Sequence, residues 1–226
     1  MSLNSLLHHH IIDQIIETGY APEVPELAQL CGRTESEIRE GLIALQEYHG
    51  VVLHPDQEKI WVVHPFSLAP TNFTVKTQDR LWWGNCAWCS LGVAALLGQD
   101  CEINSTLGAH GEPITLHIRD GEVLEKNLLI HFPIPMTKAW NNVIYTCSTM
   151  LLFQEESEVD VWCKQHNIPK GDVQPVGTFW EFTQEWYGKH RDKDWKKWSV
   201  TEAADMFQKF GLDHEVWRLP VGEGRF

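Results

Sequence analysis

The segment CAWCSLGVAALLG, from Cys86 to Gly98, constrains the fold more than any other part of the sequence, because it contains no charged residue. Its small and apolar side chains predict a buried helix, and Gly98 marks the end of that helix. A tryptophan-rich extended segment, RLWWGN, leads directly into it. Two thiols, Cys86 and Cys89, are therefore expected at the start of a buried helix, three residues apart.

This thiol pair admits several interpretations. Residues three apart share one helix face. The unpaired N–H groups and the dipole at a helix start favour negative charge, so one of the two thiols should have a lowered pKa.

A thioredoxin-type redox pair would lie in a βαβ unit, and no such unit surrounds this pair. A structural zinc site needs four ligands, and the sequence has no second close cysteine pair, although His110 or His117 could contribute. Core packing and a soft-metal site completed by a distant cysteine both stay open.

The composition argues against several classes of function. The net charge of −13 disfavours non-specific binding to nucleic acid, which needs clustered Lys and Arg, and binding to an anionic membrane surface. No apolar run reaches the ~20 residues of a membrane span, and the start lacks the pattern of a signal peptide. We therefore expect a cytoplasmic protein in which the six cysteines are free thiols or metal ligands, not a disulfide framework.

Residues 1–64 have the pattern of a winged-helix-like domain. Three helical segments, each closed by a glycine, are followed by VVLHPDQEKIWVV, which predicts two short strands around a Pro-Asp turn. Thr34 and Glu37 form a capping box at the start of the third helix. That helix would enter DNA in such a domain, but it is acidic, so we expect a structural or dimerising role. Its charged residues include Glu35, Glu37, Glu40 and Glu47 against the single Arg39.

The rest of the chain predicts an α+β fold, in which a mixed or antiparallel sheet is flanked by helices. A linker with two prolines, residues 64–73, leads into a domain over 65–190, and residues 191–226 form a C-terminal helical extension that is expected to cover the site or form an interface. Helices are expected near SEVDVWCKQHN and PVGTFWEFTQEWYGKH. Strands are predicted in FTVKT, RLWWGN, CEINSTL, ITLHIRD, NLLIHFPI and NNVIYTCSTMLLF, the last of them central.

Cys147, in that apolar strand, is the natural third thiol, because neighbouring strands can bring it beside the start of the cysteine-bearing helix. The remaining cysteines, Cys31, Cys101 and Cys163, are expected to serve packing. Two carboxylates, Asp79 and Asp100, flank the thiol segment as candidate proton relays. Aromatic side chains near the thiols predict an apolar pocket, although each alone fits a core equally well. They are Trp82, Trp83, Trp88 and Tyr145.

Two segments together resemble the organomercurial (alkylmercury) lyase family. In RLWWGNCAWCSLGVAALLGQDCEINSTLGAHGEPITLHI, a cysteine opens a small-residue helix that is followed by a strand and a turn of the form GxPxxL. In YTCSTMLLFQEESEVDVWCKQH, Trp162 follows Cys147 by the 15 residues typical of the family. With the winged-helix-like N-terminal domain, the resemblance covers roughly residues 1–190.

By position, the resemblance implies that Cys86 and Cys147 are the two catalytic cysteines that capture mercury. The third catalytic residue of the family is an aspartate, which manages the protons, and Cys89 stands at that position here. The resemblance thus implies protonolysis of a carbon–mercury bond with Cys89 in the place of the proton donor. A lyase that uses the Cys89 proton, a slower or differently selective lyase, and a thiol-based soft-metal binder or sensor all stay open.

The resemblance also implies the ligands and partners. The substrate would be a small organometal compound that the three thiols, Cys86, Cys89 and Cys147, hold by its metal. No bound cofactor is expected, exogenous thiols would remove the mercuric ion, and a mercuric reductase would receive it. No nucleic acid or membrane partner is expected, and the protein would be a monomer or homodimer.

Overall fold

The computed structural model describes residues 2–55, 59–220, 222 and 224–226. Within these residues the helices are α1 (Leu3–Thr18), α2 (Val24–Cys31), α3 (Glu35–Glu47), α4 (Ala87–Leu97), α5 (Val143–Thr149), α6 (Glu156–His166), α7 (Val176–Tyr187) and α8 (Val200–Lys209). None of the helices in this part of the chain is both long and apolar enough to cross a membrane.

The strands form two antiparallel sheets, which confirms the predicted α+β class. They are β1 (Val52–Leu53), β2 (Ile60–Val63), β3 (Phe66–Ser67), β4 (Phe73–Lys76), β5 (Leu81–Gly84), β6 (Cys101–Thr106), β7 (Pro113–Arg119), β8 (Glu122–Val123), β9 (Leu129–Phe132), β10 (Leu152–Phe153) and β11 (Asp172–Pro175). The larger sheet has the order β1-β2-β3-β5-β4-β6-β7-β8, and the smaller has the order β10-β9-β11.

The N-terminal helices form as the sequence predicts, because their ends carry strong local signals. Gly19 adopts the left-handed conformation that ends α1, and Thr34 and Glu37 make the reciprocal capping box of α3. The indole N–H of Trp82, on β5, donates to the carbonyl oxygen of Ile15 at 2.7 Å. This bond fastens α1 to the large sheet.

The segment predicted as a linker, residues 64–73, instead contributes a strand to the large sheet. Phe66 and Ser67 pair with β2 on one side and with β5 on the other, so the N-terminal two-stranded ribbon is continuous with the main sheet. Asp56, half of the predicted Pro-Asp turn, lies outside the described residues. The winged-helix-like character of residues 1–64 and the domain boundaries stay predictions.

The helix α4 is buried on nearly every side, as its uncharged sequence predicts. It packs against β4, β5 and β6 on one face and against α7 on the other. Gly84 of β5 permits this approach, because a Cβ at that position would lie 2.6 Å from the Cα of Ser90. Gly98, in the left-handed conformation, ends the helix where the sequence predicts.

The prediction of a central strand in NNVIYTCSTMLLF was wrong. A 3₁₀ segment, Met136–Asn142, leads into α5, which carries Cys147, and only Leu152 and Phe153 pair with β9. The side chain of Asn142 accepts a hydrogen bond from the N–H of Tyr145 at 3.0 Å and so caps the helix. This local cap and the tertiary packing outweigh the strand preference of the apolar run.

Candidate functional site

The three predicted site cysteines converge at the start of α4. Cys86 is the N-cap residue, and its sulfur accepts a hydrogen bond from the N–H of Cys89 at 3.2 Å. The thiol of Cys147, on α5, reaches the thiols of both Cys86 and Cys89. Cys89, Cys147 and His64 offer donor atoms that all lie within 4.8 Å of one another.

The thiols line a partly enclosed cavity between α4, α5, α7 and the C-terminal segment. All three are almost completely buried. The walls are largely aromatic, and polar or basic side chains enter from several directions. Besides the thiols, the lining residues that matter most to the chemistry are His64, Trp140, Tyr187, His190, Lys197 and Phe226.

Most of the aromatic residues predicted to form the pocket lie elsewhere. Trp88 does line the cavity, but Trp82 turns towards α1, Trp83 does not line the cavity, and Tyr145 is half-exposed. Trp140 on the 3₁₀ segment and Tyr187 on α7 take the places that those residues were predicted to fill. Both residues are distant in sequence from the paired thiols, so the sequence alone does not indicate that they line the cavity.

The other candidate ligands and relays are also remote from the cavity. Asp100 accepts a hydrogen bond from the N–H of Asp120 at 2.9 Å, and it shares a surface hollow with Asp79. His117 pairs with Glu125 at 2.8 Å, and the ring of His110 packs edge-on to that of His166. These residues therefore take no part in the thiol cavity.

The three other cysteines lie apart from this cavity. Cys101 is buried at the start of β6, and Cys31 ends α2. Cys163 on α6 lies 3.5 Å from Nε2 of His131. These positions agree with the packing role that the sequence predicts for them.

The three thiols differ in their readiness to ionise. Burial opposes ionisation of Cys89, but hydrogen bonds from Cys147 and Cys86, with a further contact from the Tyr187 hydroxyl at 3.8 Å, hold the pKa of Cys89 well below its usual value. Burial raises the pKa of Cys86. The hydrogen bonds to Cys86 and Cys89, together with burial, raise the pKa of Cys147. One thiolate is thus surrounded by two thiols that keep their protons.

The lowered pKa predicted for one thiol falls on Cys89, the second of the pair. The sulfur of Cys86 does cap the helix and accept an N–H, as its position predicts. The groups that lower the pKa of Cys89, however, are the two neighbouring thiols, then His64 and the tyrosine hydroxyl. The cause is therefore tertiary packing more than the helix start alone.

His64, which the sequence analysis did not single out, borders the thiols from the segment between β2 and β3. Its Nε2 lies 3.7 Å from the sulfur of Cys147 and 3.4 Å from the side-chain nitrogen of Asn85. Burial lowers the pKa of His64 to about 4. The ring is therefore neutral at physiological pH, and its Nε2 atom faces the site.

Lys197 is the second residue that the sequence analysis missed. It lies in the C-terminal segment predicted to cover the site or form an interface, and only 6% of its surface is exposed. Its Nζ lies 4.3 Å from the centre of the Trp140 ring, in a cation–π contact. Burial lowers the pKa of Lys197 to about 7, while Cys89 and Cys147 act in the opposite direction. The only local sign in the sequence is its position in the tryptophan-rich run DWKKW.

Comparison with known proteins relates the chain to one family and to a solved structure. The model of a family described as alkylmercury lyase matches residues 66–188. A solved structure described as the mercury-bound form of MerB2 is similar over 84% of this chain and 90% of that chain, with a TM-score of 0.66 and 19% sequence identity. At this identity the likeness shows a shared fold. No curated protein sequence matches the chain.

Proposed function

The chain belongs to the alkylmercury lyase family, and from this premise we propose that it cleaves carbon–mercury bonds by protonolysis. The observation that carries the proposal is the convergence of three buried thiols, Cys86, Cys89 and Cys147, on one aromatic-walled cavity. Mercury is a soft metal that prefers thiolate ligands. Apolar walls suit the organic group of the substrate and exclude water.

The protonation states support a definite order of events. The ionised sulfur of Cys89 binds the mercury of the substrate first. A second thiol, from Cys86 or Cys147, then binds mercury and gives up its proton in the step in which the carbon–mercury bond breaks, while the electron pair of that bond stays with carbon and carbon takes up one proton. Mercury remains as a dithiolate complex, so each cleavage consumes one thiolate and one thiol proton.

This order changes the role that the family resemblance implies for Cys89. A thiol with a lowered pKa is a good nucleophile but, once ionised, holds no proton to donate. We therefore assign Cys89 to capture of mercury, with Cys86 and Cys147. Retention of the product by a third sulfur would slow its release, so we also propose that small exogenous thiols extract the mercuric ion for a mercuric reductase, without a bound cofactor.

The test is the release of benzene from phenylmercuric acetate by the purified protein in excess small thiol. Cys89→Ser is expected to abolish turnover because the first sulfur is missing, and at least one of Cys86→Ser and Cys147→Ser is expected to do so because one of these two thiols supplies the second sulfur. Cys101→Ser is the matched control, since Cys101 is a buried thiol outside the cavity. Absence of benzene with the parent protein, or full turnover in all three site variants, would contradict the proposal.

A second candidate function is retention of a soft metal without cleavage. It is favoured by the donor atoms of His64, Cys89 and Cys147, which lie within 4.8 Å of one another. Such a protein would bind the arylmercurial stoichiometrically and release no benzene. The same assay therefore separates the two candidates.

A further inference from the structure

The proton that carbon receives must come from a group inside the cavity. Among the described residues that line it there is no Asp or Glu side chain, although the family has an aspartate three positions after the first cysteine. The hydroxyl of Thr146 donates to the carbonyl oxygen of Ala139 at 3.0 Å. Burial raises the pKa of Tyr187 well above its usual value. These two hydroxyls are therefore poor acids.

The C-terminal segment holds one ammonium group at the cavity wall. The backbone oxygen of Lys197 accepts a hydrogen bond from the Arg225 guanidinium at 2.8 Å, and the N–H of Phe226 donates to the oxygen of Trp198 at 2.9 Å. Beside them, the ring of Trp195 stacks on that of His8 at 3.5 Å. These contacts fix the backbone on both sides of Lys197, and its side chain ends over Trp140.

We propose that Lys197 is the general acid that delivers the proton to carbon as the carbon–mercury bond breaks. This assignment rests on the proposed lyase function. An N–H bond of the ammonium breaks, a C–H bond forms, and the electron pair of the carbon–mercury bond becomes that C–H pair. The neutral amine then takes the proton that the second thiol loses on binding mercury, so the lysine returns to its starting state. The residue lies outside the matched segment 66–188.

The electrostatic setting suits this role. Burial lowers the pKa of Lys197 to about 7. A general acid whose pKa lies near the working pH donates its proton readily and also takes up a new proton readily. Cys89 and Cys147 face it as the acidic groups of the site. Burial lowers the pKa of each imidazole near it, so these rings stay neutral and do not compete as cations. They are His8, His49, His64 and His190.

The deciding experiment separates capture from cleavage in a single turnover. Phenylmercuric acetate is mixed with excess protein, and thiol titration reports capture while benzene reports cleavage. In Lys197→Met, capture is expected to stay within twofold of the parent, while benzene release falls by ~100-fold, the usual contribution of a general acid. Lys196→Met is the matched control, because this neighbouring lysine is exposed. It should behave as the parent.

Two further measurements keep the result decisive if the methionine variant does not fold. Lys197→Arg keeps the positive charge, but the guanidinium gives up its proton far less readily than the ammonium. Slow benzene release in this variant supports proton transfer by Lys197. Release at the parent rate would show a purely electrostatic role and overturn the proposal. In the parent, benzene release from the captured complex should slow as the pH rises through about 7, and a rate that climbs steadily with pH would overturn it. If the parent captures mercury but never yields benzene, the lyase function itself fails.

Discussion

The backbone N–H of Ala87 donates a hydrogen bond to the carbonyl oxygen of Met150 at 3.1 Å. This bond joins the first residue of α4 to the residue that follows α5, and the N–H of Met150 in turn donates to the oxygen of Cys147 at 3.1 Å. Two short links thus set the position of Cys147 relative to Cys86. The spacing of the sulfurs is therefore a property of the backbone as well as of the side chains.

Replacing Ala87 by proline tests this link. The first residue of a helix tolerates proline because its N–H is normally unpaired, so here the change removes mainly the bond to Met150. We expect a loss of about 1–2 kcal/mol in the free energy of unfolding and slower capture of mercury by the paired thiols. Urea unfolding and thiol titration measure the two effects.

Glu35→Pro provides the control for that substitution, since Glu35 is the exposed first residue of α3. It should leave capture unchanged. If Ala87→Pro captures mercury as fast as the parent, the bond to Met150 does not position the thiols.

Tyr187→Phe tests the cause of the lowered pKa of Cys89. The tyrosine hydroxyl lies 3.8 Å from the sulfur of Cys89 and favours its thiolate. Removing it should raise the pKa of Cys89, so the ultraviolet absorbance of the thiolate should appear at higher pH than in the parent. Tyr48→Phe, at a tyrosine outside the cavity, is the control. An unchanged thiolate titration in Tyr187→Phe would assign the shift to Cys86, Cys147 and His64.

Features with strong local signals were predictable from the sequence. The uncharged run of α4, its terminal Gly98 and the capping box at Thr34 each specify structure within a few residues. The partnership of Cys86, Cys89 and Cys147 was also inferred, from the family resemblance and the chemistry of thiols. The structure brings these three together, while their roles stay proposals.

Features set by tertiary packing were not predictable in the same way. Cys147 lies on a helix because Asn142 caps it, a signal that the surrounding apolar and β-branched residues obscure. His64 and Lys197 reach the cavity from positions distant in sequence from the paired thiols, and neither has a spacing that links it to them. A single histidine beside a proline or one lysine in a charged run carries no local sign of burial.

Gly92→Ala is expected to disturb the site through Tyr187. A Cβ at residue 92 would lie 2.5 Å from the tyrosine ring and 3.0 Å from Pro65, so the ring must shift, and the contact of its hydroxyl with Cys89 is expected to change. Overpacking of this kind costs about 1–3 kcal/mol, and the thiolate of Cys89 should become harder to form. Thermal unfolding and thiolate absorbance measure both effects.

Gly222→Ala is the control for this change, because no atom of the described residues beyond its chain neighbours lies within 4 Å of the added carbon there. It should leave both properties at parent values. Parent-like stability and thiolate titration in Gly92→Ala would show that α7 shifts freely against α4 and does not position the tyrosine.

Acid is expected to destabilise the fold through the buried imidazoles near the site. Burial lowers the pKa of His64 to about 4 and lowers those of His8 and His190 well below their usual value. A histidine whose pKa is lowered by folding contributes its full stability above the unfolded value of about 6.5, and this contribution is lost as the pH falls towards the folded value. For His64 alone the loss amounts to at most about 3 kcal/mol. Urea unfolding between neutral pH and about pH 4 measures it.

His8→Phe tests the contribution of one of these imidazoles. The phenyl ring can still stack on Trp195, but one titrating group is removed, so the free energy of unfolding should fall less steeply with decreasing pH. His166→Phe is the control, because His166 is exposed, and it should follow the parent. Equal slopes in His8→Phe and the parent would show that His8 does not contribute to the acid sensitivity.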